Sequence, residues 1–207
     1  MSQINVNKVI SPDQAILDGP SLDIASNGNV SSGTDIFLVD AANNRFGVGT
    51  ATPARTLDLS GSRGVAFNAG MILEGINITG SGIGGTVNHD VQTSNAYWWD
   101  SAATANWTYN VRYSSSVTLD SQMSVGDMVC VSVVVPVGTS SYYHTALQID
   151  GSAATVEWVG GVAPTQAGSP DDIADRGKSL YQFNIIKTAS ATFTVLGAMC
   201  HIGEFEA

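Results

Sequence analysis

The chain has 207 residues, 43% of them hydrophobic, enough for one sizeable core plus a smaller appended region. Its 8 basic residues face 18 acidic ones, for a formal net charge of -10, which argues against nucleic-acid binding and against adhesion to an anionic membrane. Only 13% of residues are charged while Gly numbers 22, a composition suited to many turns and a neutral, polar surface.

The N-terminus, MSQINVNKVISP, has no apolar run of signal-peptide length, and no stretch approaches a membrane-spanning length of about 18 apolar residues. This predicts a protein made in a cytoplasm. Residues 12–17, with Ser11 as N-cap, are the best short helical candidate. Elsewhere Gly, Ser, Asn or Thr interrupts each window before three helical turns accumulate.

Short apolar bursts then alternate with turn residues. Leu22-Asp-Ile24 precedes Asn27-Gly28, Phe37-Leu-Val39 precedes Asn43-Asn44, and Leu57-Asp-Leu59 precedes Ser60-Gly61. The leucines Leu22, Leu38, Leu57 and Leu73 recur at loosely similar intervals, as in a β-repeat. Strands this short bury too little apolar surface to offset the ordering of so many glycines. The segment is therefore expected to bury its apolar positions against other chains.

Within it, FGVGTATPARTLDLSG (46–61) opens like a phosphate-binding loop. Thr52 stands where a third glycine belongs, Pro53 follows, and no Gly-Lys-Ser/Thr occurs. Gly47 and Gly49 read instead as strand punctuation, with Pro53 ending the strand.

The glycine-rich stretch INITGSGIGG falls in a hinge assigned to residues 76–90. Beyond it the aromatics concentrate and apolar runs lengthen, at 129–135, 145–149, 155–159, 180–186 and 192–196. They are rich in β-branched and aromatic residues, and several alternate with polar ones at period two. Asp150-Gly151 marks a hairpin between two of them. The expected architecture is all-β. A short fibre-like β-repeat region over 1–75 serves for anchoring, and an antiparallel β-sandwich head, jelly-roll-like, spans 91–207.

No catalytic, cofactor or metal site emerges. His89, His144 and His201 lack partners at ligand spacing. Alternation puts His144 on an ordinary sheet surface with Tyr142. Asp171, Asp172 and Asp175 lack a calcium-loop pattern, and Glu157 reads as an outward strand residue. Cys130 and Cys200, set in apolar runs, read as small buried hydrophobes, with a disulfide left open if the two runs pair. The residues singled out for partner contact are Trp98, Trp99, Tyr142 and Tyr143. Adjacent tryptophans on one strand cannot both face the core.

The stretch at 37–59 resembles a repeat of bacteriophage tail fibres and related virion proteins, approximately G-[IV]-G-T-x-x-P-x-x-x-L-x-[IV]. It is met by Gly47, Val48, Gly49, Thr50, Pro53, Leu57 and Leu59. The region 95–200 looks similar to a domain of phage structural proteins, especially of marine and cyanobacterial phages. The matching stretches include LDSQMSVGD (119–127), Trp158-Val-Gly-Gly161 and YQFNIIKT (181–188). The resemblance implies a non-enzymatic, homotrimeric virion surface protein assembled in the host cytoplasm. It would be a capsid decoration (cement) protein on other virion proteins such as the major capsid protein. The alternative it implies is a short tail fibre contacting host surface glycans.

Overall fold

The computed structural model describes residues 22–24, 30–32, 37–60, 73–138, 140, 142–164 and 177–202. The helical candidate at 12–17 and the acidic loop around Asp171 lie outside the described residues. The chain divides into two compact units, Met1–Met71 and Ile72–Ala207. Among the described residues strand dominates both, so the protein is all-β.

Among its described residues the first unit forms one five-stranded sheet of short strands: β1 (Leu22–Ile24), β2 (Val30–Ser32), β3 (Phe37–Asp40), β4 (Arg45–Val48) and β5 (Leu57–Leu59). β1 to β4 pair antiparallel in sequence order. A turn at 41–44 joins β3 to β4, with Asn44 at φ 55 and Asn43 Nδ2 donating to Asp40 at 2.7 Å. β5 then pairs parallel with β4.

The second unit begins with β6 (Ile76–Gly82), β7 (Gly85–Asp90), β8 (Ala96–Ser101), β9 (Trp107–Arg112), β10 (Met128–Pro136) and β11 (His144–Ile149). A four-residue helix, α1 (Leu119–Gln122), sits between β9 and β10 and is capped by the Thr118 side chain. β12 (Ser152–Ala154), β13 (Val156–Trp158), β14 (Lys178–Ala189) and β15 (Thr192–Ile202) complete it.

These strands form two sheets, ordered β13-β15-β14-β10-β8-β6 and β12-β11-β9-β7. From β6 to β11 each strand crosses to the opposite sheet instead of pairing with its predecessor. β6, β8 and β10 therefore run parallel in one sheet, and β7, β9 and β11 run parallel in the other. The β11–β12 and β14–β15 hairpins and the β10–β14 pair are antiparallel.

The expected antiparallel, jelly-roll-like sandwich is corrected on this point: the sheets are mixed. Period-two alternation reports which face a residue takes but not the direction of its neighbour strand. The hinge assigned to 76–90 is likewise corrected, because β6 and β7 occupy it. Its glycines serve close approach instead of flexibility. A Cβ on Gly82 would collide with the Ala102 carbonyl oxygen, and one on Gly84 with Thr104 Oγ1. Gly85 turns the corner at φ +64. Between them Ile83 is fully buried, and its carbonyl accepts from Thr104 N–H at 2.8 Å.

The core lies between the two sheets. Val131, Val133 and Val135 of β10 and Tyr181, Phe183 and Ile185 of β14 meet Trp107, Tyr109 and Val111 of β9 with Leu147 and Ile149 of β11. The rings meet edge-on and offset, Trp107 to Tyr181 at 5.1 Å and Tyr109 to Phe183 at 6.4 Å between centroids.

Gly197 of β15 lets β13 lie alongside, since a Cβ there would collide with Val156 Cγ1 and stand 3.0 Å from the Trp158 ring. Gly197→Ala is expected to destabilise by about 1–3 kcal/mol through overpacking. Comparing urea midpoints of the two proteins checks this, and an unchanged midpoint refutes it.

Candidate functional site

Alternation along aligned strands sorts the sandwich into an interior and two outer faces. On the four-stranded sheet the outer face is polar. Thr86 pairs with Thr108, and Asn88, Asn110 and Gln148 share one row. Asn110 Nδ2 donates to Asn88 at 2.7 Å, and Arg112 Nε pairs with Asp90 at 2.6 Å. Such a ladder suits a surface left in water.

The outer face of the six-stranded sheet is different. One aligned row runs Ile78, Trp98, Val134, Leu180, Cys200 across five strands. A second runs Ile76, Ala96, Ser132, Gln182, Ala198. Further along, Cys130, Asn184 and Leu196 form a row, as do Met128, Ile186 and Thr194. Several large members stand open to solvent, with Ile78 at 64% and Met128 at 60% exposure. Contiguous apolar surface of this kind marks an interaction site in a soluble protein.

The partner-contact residues read from sequence do not gather into one site. Trp99 is buried in the core, while Trp98 lies on the outer face with the Lys178 ammonium 5.9 Å from its ring centroid. Tyr142 and Tyr143 are half-buried just ahead of β11, on the other sheet. There the Tyr143 backbone bridges Trp107 N–H and Asn106 Oδ1.

Both cysteines correct the sequence reading. They are free and exposed, because Val131, Val133 and Val135 take the inward phase of β10 and leave Cys130 outward. Cys200 points the same way from β15.

The fibre-repeat residues do come together. Gly47 on β4 and Pro53 in the compact loop joining β4 to β5 are both buried, and Arg45 Nη1 donates to the Pro53 carbonyl at 2.9 Å. Gly49 adopts φ 75, and a Cβ on it would collide with the Ser60 carbonyl oxygen. Thr50 Oγ1 accepts from Thr52 N–H at 3.2 Å. Leu57, in contrast, points outward at 57% exposure. The glycines are thus needed for a turn and a backbone contact.

Two histidines are enclosed in the core. His89 Nε2 donates to the Ser94 carbonyl at 2.7 Å, so Nδ1 accepts from Tyr109 O–H at 2.6 Å. Burial pushes its pKa down to about 4 and raises that of Tyr109. His144, expected on the sheet surface, is buried instead among Trp107, Trp158 and Phe183. A bulge between His144 and Ala146 shifts the phase, so His144 faces inward with Leu147. Burial lowers its pKa to about 4 as well.

Lys187, also inward, was missed by sequence reasoning although it keeps phase with Ile185. Its Nζ donates to the Asp120 and Met123 carbonyls at 2.6 and 2.9 Å and pairs with the Asp120 carboxylate at 2.7 Å. Asp150 accepts from the Leu119 and Asp120 N–H groups at 2.7 and 3.0 Å. Asp120 and Asp150 border a cavity of about 360 Å³ with Glu157, but both are committed to these structural bonds. Among the described residues no group of three His, Cys, Asp or Glu could hold a metal, and no helix is long and apolar enough to cross a membrane. No protein-family profile, curated protein or solved structure matches the chain.

The enclosed histidines make stability pH-dependent. Each stays neutral in the fold to about pH 4, while in the unfolded chain it takes a proton near pH 6.5. The unfolded state therefore binds more protons between these values. Their contribution is complete above about pH 6.5 and is lost as pH falls toward 4, by at most ~3 kcal/mol each. Urea denaturation at pH 7 and pH 4.5 checks this. His144→Phe should shrink the difference, and an equal loss in both proteins refutes the assignment.

Proposed function

We propose that the chain is a non-enzymatic structural protein of a bacteriophage virion, a homotrimeric capsid decoration protein that binds other virion proteins and works by burying surface between subunits. The observation that carries this reading is the first unit's sheet. Among the described residues it has no second layer, and Phe46, Val48, Leu57 and Leu59 are all exposed on it. Phe46 and Leu57 are directly paired across neighbouring strands, as are Val48 and Leu59. A sheet needs an apolar layer against its hydrophobic face, and such a layer is what neighbouring chains supply.

The geometry of the glycine-threonine-proline loop supports the resemblance to fibre-type repeats, since Thr50 and Pro53 pack back against Gly47 of β4, where a Cβ would meet them. The polar groups of the interior support a structural role. His89 is neutral and held from both sides, and Lys187 is tied to α1, which leaves neither poised to react. The tail-fibre alternative, with host glycans as ligands, is less favoured because Trp98 and the Tyr142–Tyr143 pair lie on different sheets.

Light scattering of the purified chain is expected to give three times the 21.5 kDa subunit mass. Electron microscopy of intact particles, with the protein labelled, should place it on the capsid surface. A stable monomer overturns the assembly reading, and density confined to the tail overturns the decoration assignment.

A further inference from the structure

We infer that a cavity between β11 and β13 is a binding site for an uncharged, hydroxyl-bearing ligand with one apolar face, the chemistry of a pyranose sugar. The inference goes beyond the assembly reading and does not depend on it.

Topology opens the site. β12 covers β11 only at Leu147–Ile149, and after Ala154 the chain crosses to β13 in the other sheet. Among the described residues, the edge of β11 at residues 144–146 is thereby left without a strand beside it. A cavity of about 370 Å³ lies there, within the range of small-molecule sites.

The walls set the class of ligand. No Asp, Glu, Lys or Arg lines the cavity, so nothing there offsets the desolvation of a charged group. Half-buried Trp158 and Tyr143 contribute aromatic surface, while Leu147, Val156 and Pro164 contribute aliphatic surface. Trp158 is held rigidly. Its ring lies over Gly197 and meets His144 and Phe183 edge-on, each at 5.8 Å between centroids. A fixed ring of this kind suits the C–H face of a flat, amphipathic ligand.

A second observation selects a hydroxyl donor. His144 lines the cavity at 3% exposure, and its Nε2 is buried without a hydrogen-bond partner. The bond with the Ala146 backbone favours the protonated ring, so a carbonyl there accepts from Nδ1–H. With its pKa lowered to about 4, the ring is neutral at pH 7 and Nε2 offers a lone pair. A buried acceptor of this kind lacks only a donor. A ligand lying on Trp158 has the edge-on imidazole beside its hydroxyls, and an O–H there completes the bond where an ether oxygen cannot.

The test uses the full chain and the methyl glycosides of glucose, galactose, mannose and N-acetylglucosamine, followed by tryptophan fluorescence and saturation-transfer NMR. At least one should bind saturably, and glucuronate should bind more weakly than that one. Trp158→Ala, which removes the platform, should weaken binding at least ~10-fold. His144→Phe, which keeps the bulk of the ring and removes the acceptor, should weaken it by about 10-fold with a cooperative melt retained. Thr108→Glu, on the polar outer face of the four-stranded sheet, should bind as the wild type does.

If Trp158→Ala does not fold, Ala163→Trp decides, because it fills the cavity from an exposed rim position. No saturable binding of any of the four glycosides overturns the inference. So does binding that persists in Ala163→Trp, which would place the sugar elsewhere. Undiminished binding by His144→Phe refutes the assignment of Nε2, and preference for glucuronate refutes the uncharged class. A monomeric chain that binds a glycoside leaves this inference standing while the assembly reading falls.

Discussion

Between β6 and β11 no strand pairs with the strand before it. Each turn of chain instead crosses the core, and neighbours within a sheet come from alternate elements. Their alignment therefore depends on what fills the space between the sheets. Trp107, Tyr109, Tyr181 and Phe183 form that filling, fully or almost fully buried, with Trp107 meeting Tyr181 edge-on and Tyr109 meeting Phe183 offset across the gap. A short hairpin carries its own register in its turn, but a parallel pair closed by two crossings has no such local guide. The aromatic layer supplies it, because a one-residue slip would carry these large rings to the opposite faces.

The same dependence explains the polar residues placed inside. His89 joins the Tyr109 hydroxyl to the carbonyl of Ser94, and so ties β7 and β9 to the turn before β8. Lys187 ties the end of β14 to both ends of α1, and Asp150 holds the helix N-terminus from the β11–β12 turn. Buried polar groups cost free energy unless they are bonded, and here every bond but the one from His89 to Ser94 joins residues far apart in sequence. They act as registers between sheets whose hydrophobic contacts are non-directional. His144 is an exception at Nε2, which is buried without a hydrogen-bond partner. Its ring is held by aromatic contacts on several sides and by a hydrogen bond with the Ala146 backbone.

Strand positions were legible because alternation is local. The β11–β12 hairpin was legible from Asp150-Gly151, whose φ values of 51 and 81 suit a tight turn. Connectivity was not legible, since an inward-outward pattern looks alike in parallel and antiparallel neighbours. The glycines at 82, 84 and 85 looked like a hinge because their purpose, room for the Ala102 and Thr104 backbone segment, exists only in three dimensions. His144 was misplaced because a bulge leaves no mark in composition. The cysteines, however, could have been read correctly: Ser132, between Val131 and Val133, gives the outward phase of β10, and Cys130 shares it. As for the candidate site, the sequence shows that one of Trp98 and Trp99 must face outward but not which, and the row Trp98 belongs to needed the register of four other strands.

That row also bears on how strongly such a subunit would assemble. Buried area alone does not set affinity, because lost rotational freedom and ordered side chains offset much of the gain. The long, rotamer-rich Met128, Gln182 and Lys178 on this face add to that offset. The first unit carries apolar surface of its own at Phe46, Val48, Leu57 and Leu59. With both surfaces on one chain, the second contact forms at the high effective concentration set by the first. On the assembly reading, two individually modest contacts then act together to hold a subunit firmly once its neighbours are in place.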